Sequence, residues 1–278
     1  MGSAIRLGIS TCPNDTFAFH AILHSLVDLR GLEFDIRLLD IQQLNEGLFA
    51  GEFDAAKASF HAALLLSDSM AVLPSGSALG FGVGPLLLAA QADSTPAEES
   101  QLTLCPGKHT TAHLLFKLFY PGTTRVEQTV FSEIMSRLQA GTADFGVCIH
   151  EGRFTWQDQG LHLVEDLGTR WEAETAAPLP LGGILVSRSL PAEVAKALQA
   201  VVRESILWGL AHREETLPTM RRYAQEFDDA VLMQHVELYV NDWTIDLGVA
   251  GRRAIEELGR RATAVGIIGR DHPPLLVA

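Results

Sequence analysis

Short apolar runs alternate with stretches of helical spacing in the first third of the chain. Apolar runs bounded by polar or turn-forming residues are typical of buried strands, whereas apolar residues spaced three or four apart indicate helices. The pattern predicts strands at 5–10, 32–39 and 54–59 and helices at 17–29, 41–50 and 60–67. Strands that alternate with helices form βαβ units, so we expect a mainly parallel sheet.

A second α/β unit follows the first. The first unit closes with a predicted strand at 85–90, and the polar segment 91–100 then marks a domain boundary. Beyond it the pattern predicts strands at 102–105 and 145–149 and helices at 110–120 and 131–140.

The chain then returns to the first unit. A loop rich in Pro and Gly, 176–183, leads into a predicted strand at 184–187, and helices follow at 191–212, 214–227, 229–239 and 250–265. We therefore predict an α/β fold of two lobes, a larger one formed by 1–90 and 184–278 and a smaller, inserted one formed by 91–183. A cleft between two lobes is a favoured place for a small ligand.

The charge of the chain narrows the range of partners. The 278 residues carry a formal net charge of −13. This balance disfavours nucleic acid, because phosphate binding needs a clustered positive surface. A small anionic ligand stays compatible, since one pocket can be positive within a negative protein.

Cysteine usage and the apolar segments bear on location. The three cysteines, Cys12, Cys105 and Cys148, are far apart, which indicates reduced thiols. The first residues contain no apolar signal core, and the apolar stretches are too short for a transmembrane helix. We expect a cytoplasmic protein that binds no membrane, and the sequence leaves open whether it is a monomer or a homodimer.

His150 follows the predicted strand 145–149 and is the first candidate for chemistry. In open α/β sheets, ligands bind outside the carboxyl ends of the strands. Imidazole titrates near neutral pH, which suits proton transfer. A structural histidine that donates to a backbone carbonyl fits the same pattern, so on the residues alone both interpretations stay open.

A polar segment joins the first predicted strand to the first predicted helix. Its residues Ser10 and Asn14 are candidates for ligand contact, because the free N–H groups at a helix N-terminus favour anions. A plain helix cap by Asn14 or Asp15, with Pro13 fixing the turn, explains the segment equally well.

Lys57 and Ser59 interrupt a strand of alanines, whose small side chains allow a ligand to approach closely. The Lys57 ammonium has two equally ordinary environments, a carboxylate partner or solvent. For Ser59, ligand contact and capping of the next helix both remain possible.

The segment 106–111 contains a Gly-Lys pair but is not a Walker A loop. That motif needs a glycine and a hydroxyl residue where Leu102 and His109 stand. Thr110 and Thr111 at a helix N-terminus nevertheless form a generic anion site. Simple capping by Thr110 is the alternative.

Several other kinds of site are disfavoured by the sequence. The glycines at 76, 80, 82 and 84 precede a strand, so they predict a flexible turn or hinge rather than a dinucleotide fingerprint. His20 and His24 have the i, i+4 spacing of metal ligands but no evident third ligand, so we expect no metal site. Phe154 stands where a His-Glu-x-x-His motif needs its last histidine, and no Gly-x-Ser-x-Gly elbow occurs.

Taken in order, these motifs resemble the 1,4-dihydroxy-6-naphthoate synthases of the futalosine route to menaquinone, over nearly the whole chain. The resemblance departs from the family's pattern at Gly152, where a serine is expected, and this leaves open which loop group orients His150. The segments that carry the resemblance are 10–17, 57–59, 80–86, 106–112, 149–155, 178–182 and 239–241.

The resemblance implies the two-lobed fold of type 2 periplasmic binding proteins. It also implies an enzyme that converts cyclic dehypoxanthine futalosine to 1,4-dihydroxy-6-naphthoate without a metal or an organic cofactor. Two alternatives are a chorismate dehydratase of the same pathway and fold, and a non-catalytic protein that binds a small carboxylate.

The resemblance implies the site residues as well. His150 matches the general base, and the segments 57–59 and 110–112 match the parts of the family that contact substrate. To these we add Ser10 and Asn14, and Arg153 from the loop after His150. The predicted substrate-binding residues are Lys57, Ala58, Ser59, Thr110, Thr111, Ala112, Ser10, Asn14 and Arg153.

Overall fold

The computed structural model describes residues 4–149, 152–224 and 228–278, which form two mixed β-sheets flanked by helices. The strands are β1 Ile5–Ser10, β2 Phe34–Leu39, β3 Ala55–Ser59, β4 Met70–Val72, β5 Ala78–Gly80, β6 Leu86–Ala89, β7 Leu102–Cys105, β8 Arg125–Gln128, β9 Phe145–Cys148, β10 His162–Asp166 and β11 Leu179–Ser187. The helices are α1 Pro13–Ala18, α2 His20–Leu23, α3 Ile41–Phe49, α4 Phe60–Leu65, α5 Thr111–Phe119, α6 Phe131–Gln139, α7 Gly152–Thr155, α8 Leu167–Thr175, α9 Ala192–Ala211, α10 Arg213–Tyr223, α11 Asp229–Tyr239, α12 Asp242–Ile245 and α13 Gly248–Ala264.

The first sheet has the strand order β2-β1-β3-β11-β4, with β5 also paired to β11. β1 runs parallel to β2 and β3, whereas β11 runs antiparallel to β3, β4 and β5. Every residue of β3 is buried, because this strand lies in the middle of the sheet with α3 packed against it. The parallel strands β1 and β3 end at the same edge, which places Ser10 and Ser59 on one side of the sheet.

The second sheet has the strand order β10-β6-β9-β7-β8. β9 is parallel to β7 and antiparallel to β6. The carboxyl ends of β7 and β9 therefore share one edge, and from this edge β7 leads to α5 while β9 leads to residue 150.

The sheet pairing bears on where the chain crosses between lobes. β6 belongs to the second sheet although it precedes residue 91, and β11 belongs to the first sheet from Leu179 onward rather than from 184. We therefore propose that the smaller lobe extends from about residue 85 to about residue 178, close to the 91–183 expected from the sequence.

The α/β class is confirmed, but the predicted first helix, 17–29, was wrong in both bounds. A helical segment starts at Pro13, whose fixed φ suits the first helical position. The second segment, α2, ends at Leu23, and Ser25 then adopts a φ of 54°, which a continuing helix does not allow.

The stretch with glycines at 76, 80, 82 and 84 also differs from its prediction as a flexible turn or hinge. Its residues Ala78–Gly80 form β5, which pairs with β11. The sequence pattern missed β4, β8, β10 and α8 as well. β8 is exposed along its length, so it lacks the apolar alternation by which strands are recognised. None of the helices among the described residues has the length and apolar character that crossing a bilayer requires.

Candidate active site

A cavity with an empty volume of about 710 Å³, part of which opens to solvent, lies where the edges of the two sheets face each other. Ser10 and Ser59 contribute from the first sheet, and Ile149, which follows β9, contributes from the second. Eight of the nine predicted substrate-binding residues line this cavity: Ser10, Asn14, Lys57, Ala58, Ser59, Thr110, Thr111 and Ala112. Their contact with substrate stays a prediction.

Lys57 forms a buried ion pair inside the first lobe. Its Nζ lies 2.6 Å from Asp15 Oδ1, and both side chains are 5% exposed. Nζ also donates to the carbonyl oxygen of Gly76 at 3.0 Å. Of the two environments considered for Lys57, the carboxylate partner is therefore the one observed. Because the two charges compensate each other, Lys57 adds little net positive charge to the cavity.

Asn14 and Asp15 do not cap α1, so that interpretation was wrong. The helix begins at Pro13 with Cys12 as its N-cap, and Cys12 N donates to Ser10 Oγ at 3.1 Å. The Asn14 and Asp15 side chains are buried on the first turn, where they make tertiary contacts.

The tertiary partner of Asn14 is a histidine from the other end of the chain. His235 on α11 lines the cavity, and its Nε2 lies 3.2 Å from Asn14 Oδ1. Asn14 Nδ2 donates to Asp15 Oδ1 at 3.1 Å. The ring of His235 packs on that of Tyr239 with centroids 4.6 Å apart. A continuous polar chain therefore runs from Lys57 through Asp15 and Asn14 to His235.

Ser59 is fixed by a side chain of α3 rather than by a capping bond. Its backbone N donates to Asn45 Oδ1 at 3.0 Å, and its Oγ accepts from Asn45 Nδ2 at 3.1 Å. The expected capping of α4 by the Ser59 hydroxyl is not observed. Asn45 thus holds this hydroxyl at the cavity wall.

The N-terminus of α5 forms the wall of the smaller lobe. Thr110 is its N-cap, as expected: Oγ1 accepts from His113 N at 3.2 Å and donates to the Gly107 carbonyl at 2.8 Å. Thr111 Oγ1 donates to the Leu181 carbonyl at 2.6 Å. Since both hydroxyls are engaged by backbone carbonyls, a bound anion would be held mainly by the first amides of the helix and its dipole.

Two glycines let backbone segments meet at the cavity wall. A Cβ on Gly84 would lie 2.2 Å from the Cα of Gly168, and a Cβ on Gly182 would lie 2.6 Å from the carbonyl oxygen of Ala58. Both distances are far inside van der Waals contact, so only glycine fits either position. These close approaches explain on steric grounds why glycine stands at two positions that the sequence pattern assigned to turns and loops.

Arg153 does not contribute to the cavity lining, although it was predicted to bind substrate. Its guanidinium forms an ion pair with Asp166 at 2.7 Å and also donates to the carbonyl oxygen of Gly84. These contacts connect α7 to the end of β10, at Asp166, and to the segment before β6, at Gly84. Direct contact of Arg153 with substrate stays a prediction that this geometry does not favour.

His150, the predicted general base, lies outside the described residues. The described residues next to it are Ile149, which lines the cavity, and Gly152, the first residue of α7. Its role as the general base stays a prediction.

Three histidines cluster behind the N-terminus of α5. His61 on α4 has its ring centroid 6.2 Å from that of His109 and 6.1 Å from that of His113. His61 Nδ1 lies 3.3 Å from the Thr110 carbonyl oxygen, to which it donates when neutral. Burial, reinforced by the charge of His113, lowers the pKa of His61 to about 3. Burial also lowers the pKa values of His113 and His109, so the cluster is neutral at pH 7.

This cluster should make the fold sensitive to acid. In the unfolded chain His61 titrates near its ordinary pKa of about 6.5, so between pH 6.5 and 3 the unfolded state binds more protons than the folded state. The free energy of unfolding therefore falls as the pH falls, by up to about 1.4 kcal/mol per pH unit for one such histidine. Between pH 6 and pH 5, the free energy of unfolding of the His61→Leu variant should therefore fall by about 1.4 kcal/mol less than that of the wild-type chain. Urea denaturation at pH 7.5, 6 and 5 measures it, and equal slopes in the two proteins would contradict the assignment.

Sequence reasoning missed Asp15, Asn45, His235 and Tyr239 as site residues. Tyr239 lies in one of the segments that carry the family resemblance, and His235 precedes it by four residues, a spacing that puts both on one face of a helix. This spacing is the feature of the sequence that could have indicated His235 as a site residue. Nothing in the local pattern indicates that this face meets Asn14, which is 221 residues away along the chain.

Comparison with known proteins agrees with the geometry. A family model described as menaquinone biosynthesis matches residues 5–264. A relative in Thermus thermophilus named 1,4-dihydroxy-6-naphtoate synthase is 40% identical over 274 residues, which cover 99% of each chain. A relative of the same name in Streptomyces coelicolor is 39% identical and covers 98% of this chain and 97% of its own.

Solved structures support the same fold. A crystal structure of a protein from Archaeoglobus fulgidus has a TM-score of 0.89 and 31% identity, covering 95% of this chain and 98% of its own. The alkanesulfonate-binding protein SsuA from Xanthomonas axonopodis, bound to MOPS, has a TM-score of 0.72 and 15% identity, covering 99% and 96%. The latter similarity concerns the fold alone and confirms the predicted periplasmic-binding-protein architecture.

Proposed function

The chain belongs to the menaquinone biosynthesis family, and we propose that it is a carbon–carbon lyase that converts cyclic dehypoxanthine futalosine to 1,4-dihydroxy-6-naphthoate. The observation that carries the proposal is the cleft cavity. Its walls contain both segments, 57–59 and 110–112, that the family resemblance assigns to substrate contact. A cytoplasmic location is part of the same proposal, supported by the buried thiols of Cys105 and Cys148, which form no disulfide among the described residues.

The chemistry of the cavity fits this substrate. The substrate carries a carboxylated aromatic ring fused to a ring that bears a sugar-derived unit. Apolar side chains suited to flat rings come from Ile41, Val83, Pro85 and Ile149. The N-terminus of α5 suits a carboxylate or a sugar oxygen, because it offers amides and a positive dipole end inside a protein of net charge −13.

In the proposed mechanism His150 is the general base. It takes a proton from a hydroxyl or a carbon acid of the sugar-derived unit. In the retro-aldol route the deprotonated hydroxyl oxygen forms a carbonyl as the adjacent carbon–carbon bond breaks, and the electron pair of that bond passes to the ring that becomes the naphthoate. Formation of the aromatic naphthoate favours the forward direction. The support for this role is the family resemblance and the place of His150 in the sequence, directly after Ile149, which lines the cavity. Closure of the two lobes would exclude water from the reacting atoms.

The test is incubation of the purified chain with cyclic dehypoxanthine futalosine, followed by chromatography of the products. We expect 1,4-dihydroxy-6-naphthoate to accumulate and chorismate, offered in a parallel reaction, to remain intact. Consumption of chorismate would favour a dehydratase, and tight binding of a small carboxylate without any product would favour a non-catalytic binding protein. Either outcome would contradict the proposal.

A further inference from the structure

We propose that Asn45 is a positioning residue, which fixes the Ser59 hydroxyl as a hydrogen-bond donor to the carboxylate of the substrate. The inference rests on the proposed function and adds a residue that lies outside the cavity lining. Ser59 lines the cavity and is 5% exposed, whereas Asn45 is completely buried on α3 behind it.

An amide at position 45 needs an explanation. Asn45 lies on the buried face of α3, together with Leu44 and Leu48. Asparagine is a weak helix former, and a buried amide is costly unless it is hydrogen-bonded. Both hydrogen bonds that the Asn45 side chain makes within the described part of the chain go to Ser59, the last residue of β3. The contact with Ser59 therefore explains why an amide stands on this apolar face.

The two hydrogen bonds determine what the Ser59 hydroxyl can do. The backbone N of Ser59 can only donate, so the Asn45 atom 3.0 Å from it is Oδ1. The other end of the amide is then Nδ2, a donor that faces Ser59 Oγ at 3.1 Å. Ser59 Oγ therefore accepts from Asn45, and its own hydrogen points elsewhere. Among the described residues no acceptor lies within bonding distance of this hydrogen, so the hydroxyl is a donor at the cavity wall.

The same chain holds a second serine in the same way, but with an acceptor for the hydroxyl. Ser75 N donates to Gln199 Oε1 at 3.2 Å, and Gln199 Nε2 donates to Ser75 Oγ at 2.7 Å. Ser75 Oγ passes its hydrogen to the carbonyl oxygen of Ile245 at 2.5 Å. Ser75 is fully buried and lies outside the cavity lining. Where the clamped serine lies at the cavity instead, we infer that the ligand provides the acceptor.

The surroundings of Ser59 indicate the chemistry of that acceptor. Ser59 pairs with Gly182 in the register of β3 and β11, and the adjacent carbonyl of Leu181 accepts from Thr111 Oγ1 at 2.6 Å. The start of α5 therefore lies beside Ser59, and its first amides are donors as well. A carboxylate accepts from several donors and brings no hydrogen of its own, so it fits between these groups better than a hydroxyl does.

The first arm of the test measures turnover of cyclic dehypoxanthine futalosine. For Ser59→Ala we expect the KM to rise about 10-fold, the value of one hydrogen bond to a charged group, while kcat stays within about threefold. Asn45→Asp keeps the acceptor for Ser59 N but replaces the donor, so the Ser59 hydroxyl turns to the new carboxylate. At about pH 8, where its two hydrogen bonds favour the charged form, this variant should show the same rise. Asn45→Leu, which frees the hydroxyl to rotate, should also raise the KM and serves if the Asp variant folds poorly.

A double variant distinguishes positioning from other effects of Asn45. Adding Asn45→Asp to Ser59→Ala should raise the KM no further, because Asn45 acts through the hydroxyl that is already absent. Plain repulsion between the new carboxylate and the substrate would persist in the Ser59→Ala background. Gln199→Glu is the matched control: it makes the same change beside Ser75, outside the cavity lining, so its KM should equal that of the wild type.

The second arm needs no turnover. Calorimetry measures the affinity of the wild-type chain and the variants for 2-naphthoate, an aromatic carboxylate. We expect Ser59→Ala and Asn45→Asp each to weaken binding about 10-fold, with no further loss in the double variant, and Gln199→Glu to bind as the wild type does.

The outcomes separate this inference from the proposed function. A wild-type chain that forms no naphthoate refutes the proposed function, and the second arm then decides about Asn45 by itself. An affinity for 2-naphthoate that is undetectable in the wild type, or unchanged in Ser59→Ala, overturns the inference. Asn45 variants that lose stability but keep the wild-type affinity, or that lose as much affinity in the Ser59→Ala background, overturn it as well.

Discussion

The His150→Asn variant is expected to lose about 10²- to 10⁴-fold in kcat, which is the usual contribution of a general base. Asparagine approximates the size of imidazole and keeps a polar side chain, but it cannot accept the proton that must leave before the carbon–carbon bond breaks. Because we assign substrate binding to the described residues of the cavity wall, we expect the KM to stay within a fewfold of that of the wild type.

Steady-state measurement of naphthoate formation, with the thermal unfolding midpoint as a check of folding, tests this prediction. His212→Asn is a suitable control, since His212 is an exposed histidine outside the cavity lining. A His150→Asn variant with near-normal kcat would remove His150 as the base. A variant with normal kcat and a raised KM would instead make it a binding residue.

The Asp15→Leu variant is expected to lose about 3–5 kcal/mol in the free energy of unfolding, because it leaves the Lys57 ammonium buried without a counter-charge. Replacing both partners, Asp15→Leu with Lys57→Met, should restore most of this stability, since a hydrophobic pair avoids the desolvation of two ions. The double variant should nevertheless bind substrate weakly, because both residues line the cavity.

Urea denaturation of the single and double variants measures these effects. Glu52→Ala provides the matched control: the Arg37–Glu52 pair is 2.7 Å long, close to the 2.6 Å of the buried pair, but its side chains are 49% and 47% exposed. Exposed pairs contribute about 0–1 kcal/mol, so this control should change little. Equal losses for Asp15→Leu and Glu52→Ala would show that burial of the Lys57–Asp15 pair has no special energetic consequence.

The parts of the molecule that were predictable from the sequence are those encoded by neighbouring residues. β7 was predicted with the observed bounds, and α3 and α6 within one residue, because their apolar spacing is decided locally. The placement of Thr110 as the cap of α5 follows from the same short-range chemistry. Strands without apolar alternation, such as β8, escaped prediction for the same reason.

The candidate site was predictable only in part. Residues at strand ends and helix starts, such as Ser10, Ser59 and Thr110, do line the cavity. The partners that determine their chemistry come from distant segments: Asn45 holds Ser59, and His235 meets Asn14 across 221 positions. Local rules gave Asn14 a capping role because they contain no information about α11. The sequence pattern therefore predicts the fold and the candidate positions. It does not predict the polar chain that runs from Lys57 through Asp15 and Asn14 to His235.

The interrupted first lobe has a consequence for synthesis on the ribosome. β3 lies at the centre of the first sheet, yet its second neighbour, β11, begins 120 residues after β3 ends. While those residues emerge, one edge of β3 has no partner strand, and an unpaired edge is a place where chains associate wrongly. The strands of the second sheet, β6 to β10, are continuous in the chain and can pair before β11 is made. The inserted lobe can therefore fold first, and the lobe that begins the chain is completed last.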